Sequence, residues 1–248
     1  MSTDLIFYAL AIPAILLTGV SKSGFSALGG IAVPLMSLAI APRQAAGIML
    51  PILVLTDIVG LRAYYGRWDR AILRTLIPGS LLGILIGALS FGTFSEDAIR
   101  LLIGVISVLF VVSRLVLPAL TRATTSLSFL RGTCLSGLAG FTSFVAHAGA
   151  PPVMMYLLPL RLEKVTYIAT NNMFFFITNL VKLVPYALLG QLSASNLSSS
   201  LVLTPLVPLG VFLGFRLQRM VNEVWFFRIA QAGLLLTGLQ LIWQGTRA

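Results

Sequence analysis

The sequence predicts an all-α polytopic integral membrane protein, made of two inverted repeats of about five hydrophobic segments, each opening with short broken or re-entrant helices. Three observations carry that reading. Of 248 residues, 58% are hydrophobic and only 10% charged, with a mean hydropathy of +0.99, whereas a soluble domain of this length needs far more charge to cover its surface. The apolar residues fall into runs that recur along the whole chain. Two of the breaks between runs are glycine-rich, hold a basic side chain, and occupy matching places in the two halves: Lys22 between Gly19 and Gly24, and His147 between Gly140 and Gly149.

The apolar runs lie at about 5–19, 26–41, 44–66, 71–90 and 98–117 in a first repeat (1–117), and at 129–146, 151–160, 165–190, 197–215 and 225–243 in a second (129–248). A connection rich in Pro, Thr, Arg and Ser, 118–128, joins them. A full crossing takes ~20 residues for a ~30 Å hydrocarbon core. At ~1.5 Å per residue the run 151–160 reaches roughly half that depth, so it reads as a half-helix starting near the midplane. Pro151 and Pro152 suit its first turn, where a missing N–H does no harm. The run 26–41 is short as well.

Letting the segments alternate sides puts most of the 17 basic residues at one set of ends, while Arg43, Arg100 and Arg247 fall opposite, beside Asp4, Glu96 and Asp97. Basic loops stay cytoplasmic, which places the chain in the cell (plasma or inner) membrane with both termini non-cytoplasmic. The same argument excludes nucleic acid as the partner of the basic charge, which sits between apolar runs rather than on a face. Asp4 and the lack of a basic residue before the first run argue against a cleaved signal peptide. A single cysteine, Cys134, supports neither a disulfide framework nor a metal site, and no cofactor is expected.

The halves match in detail. Thr56-Asp57-Ile58-Val59 aligns with Thr178-Asn179-Leu180-Val181, and Pro78, Gly83 and Gly87 align with Pro205, Gly210 and Gly214. Equivalent loops differ in charge: Gly66-Arg67-Trp68-Asp69-Arg70 is basic and Gly190-Gln191-Leu192-Ser193-Ala194 uncharged. Repeats alike in pattern but opposite in loop charge are inverted, as in many secondary transporters.

The early break ending in Gly29-Gly30 and Pro34, the run from Tyr65-Gly66 to Pro78-Gly79, Gly83 and Gly87, and the weaker second copy resemble the sulfite exporter TauE/SafE family of membrane permeases over nearly the whole chain. The resemblance implies a two-repeat permease for small sulfur-containing anions such as sulfite or organosulfonates. The second break departs from the family's glycine-rich pattern, carrying Phe141, Phe144 and His147.

A break in an apolar helix leaves backbone groups that lipid cannot satisfy, so it must be buried in protein or line a wet cavity. Charged residues at such depth mark a substrate path or a pair. Lys22, the only charge between Asp4 and Arg43, reads as an anion ligand or, failing that, as a cytoplasmic anchor. Ser23 and Ser26 are candidate caps of the short helix after it, and His147 precedes the half-helix, so two helix N-termini are expected to face one anion. The expected substrate-binding set is Lys22, Ser23, Gly24, Ser26, Gly29, Gly30, Thr142, Ser143, His147, Gly149, Asn171 and Asn172. Asp57, Asn179 and Lys182 form the expected coupling or gating set: Asp57 matches Asn179 and Lys182 matches Gly60, so the acid and this lysine are expected near each other, for proton movement or as a structural pair. Phe174, Phe175 and Phe176 read as packing.

The function expected is a permease moving a small sulfur-containing anion by alternating access, with protons as a candidate partner beside the anion and the bilayer. Other anions or metabolites are alternatives, as is an assembly subunit. An intramembrane hydrolase using Ser26 and His147 is a weaker reading, because Ala27 stands where a nucleophile turn wants glycine.

Overall fold

The computed structural model describes residues 5–23, 25–91, 93–120, 128–220 and 223–247. Those residues form eleven α-helices and no strand. In order they are α1 (Leu5–Ser21), a 3-10 turn (Ser26–Ile31) running into α2 (Ala32–Met36), α3 (Pro42–Arg62), α4 (Arg70–Phe91) and α5 (Glu96–Leu120). Then come α6 (Phe129–Ala146), α7 (Ala150–Leu157) with a 3-10 turn (Leu158–Leu160), α8 (Lys164–Leu188), α9 (Ala194–Leu203), α10 (Leu206–Met220) and α11 (Glu223–Thr246). By length and composition α3 and α4 can each cross a membrane, and a third span arises if α9 and α10, bent by 44°, count as one. α5 runs through Pro118 to Leu120, three residues past the expected start of the connection; 121–127 lie outside the described residues, and Ser128 caps α6 by accepting from the Arg131 N–H.

Local chemistry sets the ends. Gly66 and Gly190 both take positive φ, +73° and +69°, a conformation that costs a Cβ-bearing residue, and each turns the chain after a long helix. The following helices are then capped, α4 by Asp69, whose Oδ1 accepts from the Ala71 and Ile72 N–H groups, and α9 by Ser193. At the opposite end of α4, Arg43 donates to the carbonyls of Phe91 and Phe94 and so ties the start of α3 to the α4–α5 connection.

Helix packing depends on bare backbone. α4 lies along α6 and α10 along α1, with α5 against α11 and α3 against α8. A Cβ on Gly83 would stand 2.8 Å from the Gly137 carbonyl carbon, and one on Gly19 would stand 2.6 Å from that of Gly210. Small residues let helix backbones approach to this distance, which drives association in lipid where the hydrophobic effect does not. Pro78, Gly83 and Gly87 thus lie on a helix that packs through glycine, as do Pro208, Gly210 and Gly214 on α10; Pro205 stands in the bend between α9 and α10. Large apolar side chains such as Leu82, Leu85, Ile86 and Leu89 of α4, and Leu209 and Phe212 of α10, point outward, as lipid-facing surfaces do.

Candidate functional site

Each break is built by a different device. α1 ends at Ser21, and the Lys22 and Ser23 N–H groups bond back to Gly19 and Val20. The following 3-10 turn starts at Ser26, after Phe25, with no side-chain cap, so Ser23 does not cap it; Ser23 Oγ instead approaches the Val211 carbonyl of α10 at 3.5 Å. The second break is a left-handed turn at His147 (φ 51°, ψ 28°) that closes α6. The His147 N–H bonds to Ser143 O and the Ala148 N–H to Thr142 O, satisfying carbonyls the helix end would leave open. α7 then begins at Ala150, directly after Gly149, with Pro151 and Pro152 in its first turn. Two of its free N–H groups are therefore missing, and this terminus offers an anion fewer donors than a helix start without prolines.

The breaks face each other across a small cavity of about 30 Å³, room for about two ordered waters. Lys22, Gly29 and Gly30 line it from the first break, Ser143 and His147 from the second, and Asn171, Asn172 and Asn179 from α8. Ser21, Leu53, Ala150 and Phe175 complete the wall. A Cβ on Gly30 would meet Ala148 at 3.5 Å, so the two breaks are in contact.

Lys22 is 5% exposed and Asp57 of α3 not at all. The Lys22 ammonium meets Asp57 Oδ1 at 2.5 Å, while Asn179 donates to Asp57 Oδ2 at 2.7 Å. Asn172 holds the break itself, donating to Lys22 O at 3.0 Å. The Phe175 ring lies under the ammonium, 5.6 Å from centroid to Nζ; it is therefore part of the site and not packing alone, and its spacing of three from Asn172 puts both on one helix face. Gly60 gives Lys22 its room, since a Cβ there would come within 3.0 Å of Lys22 Cβ.

Lys182 is fully buried and pairs with neutral groups. Its Nζ contacts Ser143 O at 3.0 Å, Ser143 Oγ at 2.9 Å and His147 Nδ1 at 2.8 Å. With Lys182 as the ammonium, which has three donors and no acceptor, these contacts use all three and make Nδ1 an acceptor. The imidazole proton then sits on Nε2, 3.0 Å from Ala46 O, and the ring is neutral. Beyond His147 lies an aromatic plug of Phe91, Phe144 and Tyr186, whose phenol donates to Phe144 O at 2.6 Å.

The site therefore gathers most of the expected residues but wires them differently. The acid of α3 is bonded to Lys22; Lys182, expected near it, lies within electrostatic reach but bonds to Ser143 and His147 instead. Thr142 turns outward to an apolar groove with Pro151, Pro152 and Phe141. Gly149 packs, its Cβ position lying 2.9 Å from Ser143 Cβ. Gly24 and the side chain of Ser26 lie outside the described residues. Leu53 and Ala46 carried no signal in sequence, whereas Ser21 directly precedes Lys22.

The family model described as "Sulfite exporter TauE/SafE" matches residues 11–241, and the chain belongs to that family. The family is one of membrane permeases of the sulfur-anion exporter type. No curated relative and no solved structure matches the chain.

Proposed function

We propose that this member of the sulfite exporter TauE/SafE family carries a small sulfur-containing anion across the cell membrane, binding it between the two helix breaks and exposing it to each side in turn. The observation that carries the reading is the shared cavity, into which both breaks and α8 present a lysine, a histidine, two serines and three asparagines. Amide and hydroxyl donors around a cation suit the oxygens of a sulfur oxyanion. The two halves act as inverted repeats; the matched glycine crossings α4–α6 and α1–α10 and the opposite charge of loops 66–70 and 190–194 support this. Both termini lie on the non-cytoplasmic side, and alternating access comes from rocking of packed helix groups around the fixed site.

Energetics tie direction to coupling. An anion leaving an inside-negative cell gains ~2.3 kcal/mol per charge per 100 mV, so export runs without a coupling ion and uptake requires one. Counter-flow in liposomes containing the purified protein, with sulfite, methanesulfonate and sulfate as counter-substrates, tests the reading. Exchange of a sulfur oxyanion that Lys22→Ala abolishes supports it; exchange of none of them by folded protein rejects it.

A further inference from the structure

We infer that the site is built for one negative charge and that Asp57 sets this limit. The inference rests on the reading of the cavity as the anion site and names the charge class of what it takes. Among the described residues, the charged side chains meeting at the two breaks and the layer of α3 and α8 behind them are Lys22, Asp57 and Lys182. The titratable neutral ones are His147 and Tyr186, the first fixed by Lys182 and Ala46 and the second donating to Phe144 O. Counted as two ammonium groups and one carboxylate, they sum to a single positive charge.

Geometry makes Asp57 a counter-charge and not a ligand. Its carboxylate is wholly buried and is no part of the cavity wall, while Lys22 and Asn179, its two partners, both are. Lys22 therefore shows the cavity a positive charge already half committed behind it. The uncommitted charge is that of Lys182, whose three contacts are neutral and two of whose partners, Ser143 and His147, also line the wall. Uncompensated charge is costly in a buried cleft. A monoanion such as an organosulfonate or bisulfite brings the site to neutrality. A dianion such as sulfate or sulfite leaves one negative charge in excess, and it enters with a proton. Asp57 is the group that takes the proton: its Oδ1 meets Lys22 and, among the described residues, no hydrogen-bond donor besides, and Asn179 still donates to Oδ2 when the acid is neutral.

Calorimetric titration of the detergent-purified protein at pH 8, in two buffers of different ionisation enthalpy, compares methanesulfonate, a fixed monoanion, with sulfate, a fixed dianion. The expected result is that methanesulfonate binds about tenfold or more tightly than sulfate without proton exchange. Sulfate binding takes up one proton and so strengthens by up to about tenfold for each pH unit lowered. Asp57→Asn gains sulfate affinity by about tenfold or more, loses the proton uptake, and changes far less toward methanesulfonate. Equal affinity of the parent protein for both anions with no proton uptake overturns the inference, whether or not the variant folds, and leaves the sulfur-anion reading standing. A folded Asp57→Asn protein that keeps the parent's preference overturns it too. Binding of neither anion nor sulfite by the parent protein overturns both.

Discussion

Lys22 and Lys182 are both buried beside one cavity, yet their surroundings are opposites. Lys22 sits in the first break and meets a carboxylate carried by α3. Lys182 sits on α8, one turn beyond Asn179, and meets a carbonyl, a hydroxyl and an imidazole of the second break. The two arrangements use matching positions: where α8 carries Lys182, α3 has Gly60, which clears space for Lys22, and where α3 carries Asp57, α8 has Asn179, bonded directly to it. Positions that match in sequence thus hold one cation paired with a carboxylate and one paired with neutral groups.

The largest expected effect breaks the neutralised side. Asp57→Ala strands the buried Lys22 ammonium and is expected to cost about 3–5 kcal/mol, read as a drop in melting temperature in detergent. The pair Lys22→Met with Asp57→Leu should recover most of that loss, because no charge is left behind. A single Asp57→Ala protein as stable as the parent would mean that the ion pair contributes nothing. On the other side, Lys182→Met removes a cation whose partners are neutral. The loss should be only about 1–3 kcal/mol, from Ser143 Oγ and His147 Nδ1 left without a donor, with anion binding abolished. Greater destabilisation than from Asp57→Ala would reverse the comparison. The smallest effect sharpens it at the backbone. His147→Gly and His147→Ala both lose the ring, but the left-handed turn penalises Ala, so the glycine variant should melt as if about 1–2 kcal/mol more stable. Equal melting of the two would show the turn to be unstrained.

Much of this site was visible in the chain because lipid makes polar residues conspicuous. Lys22, His147, Asp57 and Lys182 stood out as isolated polar or charged groups in apolar runs, and the glycines around them marked the breaks. The pairing was not visible. Repeat matching puts 57, 60, 179 and 182 in one layer but carries no distance, so it could not tell which lysine reaches the acid. Residues that serve through shape or backbone, such as Leu53 and the Ala46 carbonyl, look like every other apolar position. Cap chemistry misled at Ser23, because the helix after the first break starts as a 3-10 turn and the serine turns toward α10. The bend between α9 and α10 was hidden in one continuous apolar run, although Thr204-Pro205 stands at it.

The glycine contact between α1 and α10 has a consequence for how the protein is made. α1 leaves the ribosome with most of the chain still to come, and its partner is inserted only after the eight α-helices that lie between them among the described residues. Until then the narrow face around Gly19 lies bare in lipid or against a temporary neighbour. A nascent chain stopped anywhere before Gly214 cannot complete its first helix pair, so truncated products should be targets for membrane quality control even when most of their helices are already inserted.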